Sequence, residues 1–400
     1  MKSNYKRLGN YIRQVDVRNV EDKRYELLGV SVEKCFISSI ANTVGTDWHN
    51  YKIIKRGQFC YIPDTSRRGD KIGIAHLVDR EIGLVSAVYT VFEVWNKELM
   101  PEYLMLWFKR PEFDRYARYH SHGSVREIFD WEEMCNVTLP VPPIEEQEKI
   151  VDAYQKIETR IALKKKINEN LEAIVQAAFN AEFIVFEGNE NARIDTELGK
   201  IPENLSVKLI SEIAPRIESG KRPSGGAAIS GYPSLGADCA KGLGCYDRSK
   251  AKYVPIDFAK KMNRGIVKGY ELLAYKDGGK PSEFIPEFSI YGEGYPFNEF
   301  AINEHVFLID FGSPEANWFS YFMFKSKYVY NLLASVGGKS AIPGINQQNI
   351  GGLYVIDPTS DVAFSFGAKY IFFLKSILIN CKEMLRLEEV KDGLLTNLSR

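Results

Sequence analysis

From Ile144 the chain changes period. Ile150, Tyr154, Ile157, Ile161, Lys164, Asn168, Leu171, Val175 and Ala178 are separated by alternating steps of four and three. That spacing predicts a long helix with a heptad seam, interrupted by two polar positions. Pro142-Pro143 ends the extended LPVPP strip before it and suits a helix start, and Glu145, Glu146 and Glu148 complement the helix dipole. Elsewhere the pattern is strand-like. YKIIKRGQFCYI, GLVSAVYTVFEV, GIVKGYELLAY and AINEHVFLIDF are rich in β-branched and aromatic residues and bounded by Gly, Pro and Asp. PEYLMLWFKRPEFDRYARYH and EANWFSYFMFKSKYVYNLLA read as helical.

The pattern occurs twice. Phe108 and Phe324, Ser124 and Ser340, Pro142 and Pro358, and Leu171 and Leu387 are each 216 residues apart, with no gap over roughly seventy residues. The same shift carries the seam onto Phe366, Tyr370, Phe373, Ile377, Asn380, Met384, Leu387, Lys391 and Leu394. The reading is an α+β chain of mixed globule, helix, globule, helix, each globule built around a small sheet. Each helix could pack on its own globule. The longer seam favours pairing of the two helices, through Ile150, Tyr154, Ile157, Ile161, Leu171, Tyr370, Phe373, Ile377, Met384 and Leu387, with Asn168 setting register.

Composition narrows the classes. The hydrophobic fraction of 45% and charged fraction of 26% are ordinary for globular chains. No apolar run in the sequence approaches the ~20 residues of a bilayer span, and MKSNYKRLGNYIRQ lacks the apolar core of a signal peptide. The six cysteines have no zinc spacing and read as reduced, in a cytoplasmic protein. Lysine plus arginine equals aspartate plus glutamate, 52 each, which argues against a general polyanion coat while allowing a local basic cleft.

Catalytic patterns fail. VGGKS from Val336 lacks the upstream glycine of a phosphate loop, since that position is Leu333. An amino-methyltransferase needs a polar-Pro-Pro-aromatic tetrapeptide, and the chain's Pro-Pro lies between Val141 and Ile144. Asp70-Lys71 is a nuclease fragment without a second acid. His120 and His122 would share one face of a strand, but two histidines make no metal site, and none is expected.

LPVPPIEEQEKIV followed by a heptad helix ending LEAIVQAAF resembles the conserved region of the specificity subunits of type I restriction–modification enzymes. YIPDTSRRGDKIGIA and IESGKRPSGG are similar to segments of their recognition domains. The resemblance implies two target-recognition domains (1–143 and 188–358), a central conserved helix (144–187) and a C-terminal one (359–400), the helices paired as an antiparallel coiled coil. It implies a DNA reader without catalysis of its own. Two modification methyltransferase subunits and the restriction (translocase/nuclease) subunits would be its partners, and S-adenosylmethionine, ATP and Mg would sit on them. The second junction, VIDPTSDVAFSFGAKY, lacks the Glu-Gln pair, so docking there is expected to differ.

On that reading, DNA contacts are expected from Ser66, Arg67, Arg68, Lys71, His122, Ser124 and Arg126 in the first domain. In the second they are Lys221, Arg222, Ser224, Lys276, Lys280, Lys339 and Ser340, with Asn50 and Lys52 weaker candidates. Arginine pairs guanine in bidentate fashion, and lysine neutralises phosphate. A helix from Ile144 to about Phe179 is roughly 50 Å long at ~1.5 Å per residue, which favours two unlike half-sites separated by unread base pairs. The rival reading is a coiled-coil scaffold that binds no DNA.

Overall fold

The computed structural model describes residues 4–39, 47–64, 71–123, 127–278, 282–338 and 343–399. It divides into two compact units, one built from Met1–Arg160 with Leu387–Arg400, the other from Ile161–Arg386.

The first unit contains strands β1 (Tyr5–Arg7), β2 (Ile12–Val15), β3 (Leu27–Val30), β4 (Phe36–Ser38), β5 (Lys52–Lys55), β6 (Phe59–Tyr61), β7 (Ile74–His76), β8 (Ile82–Val85) and β9 (Thr90–Val94). Helices α1 (Pro101–Phe108), α2 (Pro111–Tyr119) and α3 (Trp131–Asn136) follow, then β10 (Thr138–Pro140) and the long helix α4 (Ile144–Asn180). The strands form two four-stranded sheets, β2-β9-β6-β7 and β4-β3-β8-β5, and a β1–β10 ladder. The sequence favoured one small sheet. Each strand-like run instead holds two strands that pass from one sheet to the other. YKIIKRGQFCYI turns at Gly57, whose φ of 85° suits glycine, with Gln58 N–H donating to Lys55 O. GLVSAVYTVFEV turns between Ser86 and Tyr89. Phe59, Phe92, Phe108, Phe113 and Phe129 fill the core below.

The Glu-Gln pair of the first junction has a structural reason. Gln147 is fully buried at the start of α4. Its amide donates to Glu98 O at 2.7 Å and Pro142 O at 2.8 Å and accepts from Met100 N–H at 2.9 Å. Three backbone groups are satisfied by one side chain, which fixes where the helix leaves the domain.

The second unit opens with the hairpin β11 (Arg193–Thr196) and β12 (Gly199–Pro202), then β13 (Val207–Leu209), α5 (Ile210–Ile213), β14 (Arg216–Ser219), β15 (Tyr232–Leu235), β16 (Lys252–Val254) and α6 (Ile256–Ala259). It continues with β17 (Ile266–Val267), β18 (Leu272–Tyr275), β19 (Phe288–Ile290), β20 (Phe300–Ile302) and β21 (Val306–Asp310). It closes with α7 (Pro314–Lys325), α8 (Lys327–Gly337), α9 (Gln347–Gly351), β22 (Tyr354–Ile356) and α10 (Asp361–Asn397). Its sheets, β14-β21-β18-β19 and β16-β15-β20-β17, with the β13–β22 ladder, repeat the first unit strand for strand. The parallel pair β3–β8 recurs as β15–β20. At the second junction Ala363 stands where Gln147 stood. Asp357 takes over part of the task, accepting from Thr359 N–H at 2.9 Å and pairing with Lys208 at 2.7 Å.

The long helices pair antiparallel. In the second unit Lys164 reaches Asn380 at 2.8 Å and Glu383 at 2.7 Å. One turn further along α4, Asn168 reaches back to Ile377 O at 3.3 Å and accepts from Asn380 at 2.7 Å. In the first unit Tyr154 lies under Lys391 and is buried with Leu395 and Leu398. The helices also pack on the globules: Val175, Phe179 and Phe183 enter a core with Phe319, Phe322 and Phe366. A Cβ on Gly367 would meet Glu315 O at 2.2 Å, so α10 and α7 touch backbone to backbone. By length and composition α10 is apolar enough to cross a membrane, over a window of mean hydropathy 1.6. This corrects the sequence reading that no run approached that length. Much of the apolar content has a packing role, since Phe366, Leu374, Ile377, Leu378 and Cys381 are buried.

Candidate nucleic-acid interface

In each unit the described residues flanking two of the loops singled out from the sequence pair with each other. The chain leaving β6 pairs with the chain leaving α2 through an isolated bridge, Asp64 to Ile128, and Phe129 N–H donates to Pro63 O at 2.9 Å. In the second unit the chain leaving β18 meets the chain leaving α8 through the bridge Asp277 to Gly344, with Gly278 N–H donating to Pro343 O at 2.9 Å. Ile128 and Gly344 are 216 residues apart, so the same clasp occurs at the same place in both copies. It joins the described ends of the segments, Pro63 and Asp64 to Ile128 and Phe129, and Asp277 and Gly278 to Pro343 and Gly344. Ser66, Arg67, Arg68, Ser124, Arg126, Lys280, Lys339 and Ser340 themselves lie outside the described residues.

The described candidates are placed as follows. Lys71 is exposed and pairs with Glu33 at 2.9 Å. His122 bridges to Ile128 through its backbone, and its ring lies 3.8 Å from Glu133, which also takes His120 at 3.1 Å. The two histidines thus share one carboxylate, and among the described residues no group of three or more His, Cys, Asp or Glu could hold a metal. Lys221 and Ser224 are exposed. Arg222 pairs with Glu304 at 3.0 Å, and Lys276 donates to Glu304 O at 3.0 Å, so two candidates from different loops converge on one residue. His305 joins this group through Asp277. Of the weaker candidates, Lys52 is buried, donating to Tyr89 O at 2.9 Å, and Asn50 bonds Asp47 at 2.7 Å. Both are committed to the fold. Gly337 is explained by packing, since a Cβ there would collide with the Phe284 ring at 2.4 Å.

Sequence reasoning missed what anchors the first loop. Lys34 and Asp114 form a buried ion pair, and Asp114 also accepts Ile72 N–H at 3.1 Å, at the point where the loop rejoins the sheet. Burial pushes the Lys34 ammonium below its ordinary value, and Asp114 opposes that shift. The partners are 80 residues apart and of types usually found on surfaces, so nothing local in the sequence links them. The helix-pairing candidates Ile150, Tyr154, Ile157, Ile161, Leu171, Tyr370, Phe373, Ile377, Met384 and Leu387 are all buried or half-buried.

Two similar α/β domains, each joining the ends of two polar segments by a backbone bridge, with two antiparallel helices, describe a class of modular binding protein. Residues 40–173 match the family described as type I restriction modification DNA specificity domain. Over 91% of its length the chain is 22% identical to the type I restriction enzyme HindI specificity subunit of Haemophilus influenzae, covering 90% of that protein. Over 75% it is 27% identical to the MjaIX specificity subunit of Methanocaldococcus jannaschii, covering 68% of it. The fold matches the crystal structure of the type I restriction–modification S subunit of M. genitalium with a TM-score of 0.54, at 12% identity, over 99% of this chain and 96% of that one. The chain is thus similar in sequence to type I restriction enzyme specificity subunits and carries the family's domain over residues 40–173.

Proposed function

We propose that this chain is the DNA sequence-recognition subunit of a type I restriction–modification complex. It reads a bipartite, asymmetric site through its two domains and performs no chemistry itself. The observation that carries the reading is the clasp at Ile128 and Gly344, which joins the ends of two polar segments on one scaffold, twice, with different segment sequences. Different loops on the same scaffold call for different half-sites. S-adenosylmethionine, ATP and Mg belong, on this reading, to partner subunits.

Methyltransferase subunits would dock on the long helices, and restriction subunits would join them. Leu163, Ile167 and Ile174 of α4 and Phe372 and Ile379 of α10 are exposed at helical spacing and offer an apolar face to a partner helix.

Co-expression with a methyltransferase subunit and mapping of methylated adenines tests the proposal. The expected outcome is one asymmetric site with an unread gap. A complex that neither methylates DNA nor shifts duplex with a steep salt dependence would leave the scaffold reading in its place.

A further inference from the structure

The second unit carries a basic segment that the loop patterns did not mark: Lys260, Lys261, Met262, Asn263 and Arg264, between α6 and β17. Lys260, Lys261, Asn263 and Arg264 are exposed. Lys260 approaches Asp257 only at 3.9 Å, and neither Lys261 nor Arg264 has an acidic partner within 4 Å among the described residues. Two arginines near this end of the unit are paired, Arg222 with Glu304 and Arg216 with Glu218, Glu271 and Asp310, while Lys221 and Lys268 are exposed.

The segment is fixed against a candidate recognition loop. Gly265 N–H donates to Glu218 at 2.7 Å, and Ile302 N–H donates to Gly265 O at 2.8 Å. A Cβ on Gly265 would lie 2.9 Å from the Cα of Gly220, and one on Gly220 would meet Ile302 O at 1.8 Å. Two glycines therefore let three backbones touch, and Gly265 has a φ of 71° that a side chain would strain. The consequence is placement: Gly220 opens the loop of Lys221 and Arg222, and Gly265 closes the segment of Lys260 to Arg264. Beside them, Arg264, Lys260 and Lys268 line a cavity of about 710 Å³ together with Arg216, Glu218 and Glu299.

We infer that Lys261 and Arg264 form a phosphate-binding arm of the second recognition domain, continuous with the Lys221–Arg222 loop. This rests on the DNA-reading function proposed above. Unpaired, exposed cations on a backbone held by hydrogen bonds suit a uniform polyanion, which needs charge at a set position and no base contact. The arm would add affinity and orientation without sequence information.

The test is duplex binding by the full chain, with its methyltransferase partner, across a salt series. K261A/R264A is compared with K200A/K327A, which removes two exposed lysines elsewhere in the unit. Each phosphate contact contributes about 0.9 to the slope of log K against log salt. The expected result is a slope reduced by about two in K261A/R264A, unchanged in K200A/K327A, with the methylated sequence the same in all three. Equal slopes for K261A/R264A and the parent overturn the inference. So does a changed methylated sequence, which would make the arm a base reader. Failure of the parent itself to bind DNA would instead overturn the function on which the inference rests. Thermal unfolding of each variant shows whether it is folded.

Discussion

The two domains share their strand order and differ in how they hold their loops. In the first, a buried pair, Lys34 and Asp114, ties the loop after β6 to the body of the domain. In the second, the corresponding loop is held by half-exposed groups gathered on Glu304 and Asp277. Tyr330 occupies the place of Asp114 one repeat later, so the buried anchor has no counterpart there. The scaffold has been kept and the anchoring rewritten. A buried ion pair fails severely when broken, because one charge is left without a partner in low dielectric. A surface cluster loses little from any one member. The second head should therefore tolerate loop change better than the first.

That contrast can be broken by experiment. Asp114→Ala should cost about 3–5 kcal/mol, leaving Lys34 buried and Ile72 N–H unpaired, and urea unfolding should register it. Recognition of one half-site should fail with it. Phe372→Lys places on α10 the residue that α4 carries 216 positions earlier, Lys156. It should weaken methyltransferase docking by about 1.5–3 kcal/mol, the worth of a buried phenylalanine, as read by co-purification or titration. Arg67→Ala or Arg68→Ala should relax one half-site by about 1–3 kcal/mol and leave the other requirement intact, as mapped by methylation-sensitive sequencing. Glu304→Ala, the counterpart of the Asp114 change, should cost no more than about 1 kcal/mol.

The smallest effect is one of pH. His76 is largely buried and stacks on Phe59 at 4.4 Å, and burial holds its imidazole below the ordinary value of 6.5. Below that value the unfolded chain binds the proton first, so stability is present above pH 6.5 and is lost as pH falls toward the lower folded-state value. Strand β19 of the second unit has no histidine. Unfolding midpoints at neutral and mildly acid pH should differ, and His76→Phe should reduce the difference.

The body plan was legible because a heptad seam running along most of each 37-residue helix survives substitution, and because the repeat around it needs no gap. The strands were legible as runs, but their division between two sheets was not. A corner at Gly57 or Ser86 leaves the β-branched pattern on both sides unbroken, so two short strands read as one. Pairing the predicted loops across a bridge also escaped the sequence, since Asp64 and Ile128 meet only through backbone groups. No loop pattern marked Lys260 to Arg264. Its significance comes from Gly220 and Gly265, whose approach is a property of the tertiary fold.

The contact between Lys164 and Asn380 joins a residue to the one that replaces it in the other copy. In the same register, like-with-like association of the helices would bring each of these residues against itself. Two copies of α4 would then press one ammonium against another and forfeit both Asn380 and Glu383, while two copies of α10 would leave Glu383 without its lysine. At this single helical turn the side chains therefore favour α4 against α10 over either helix against its like.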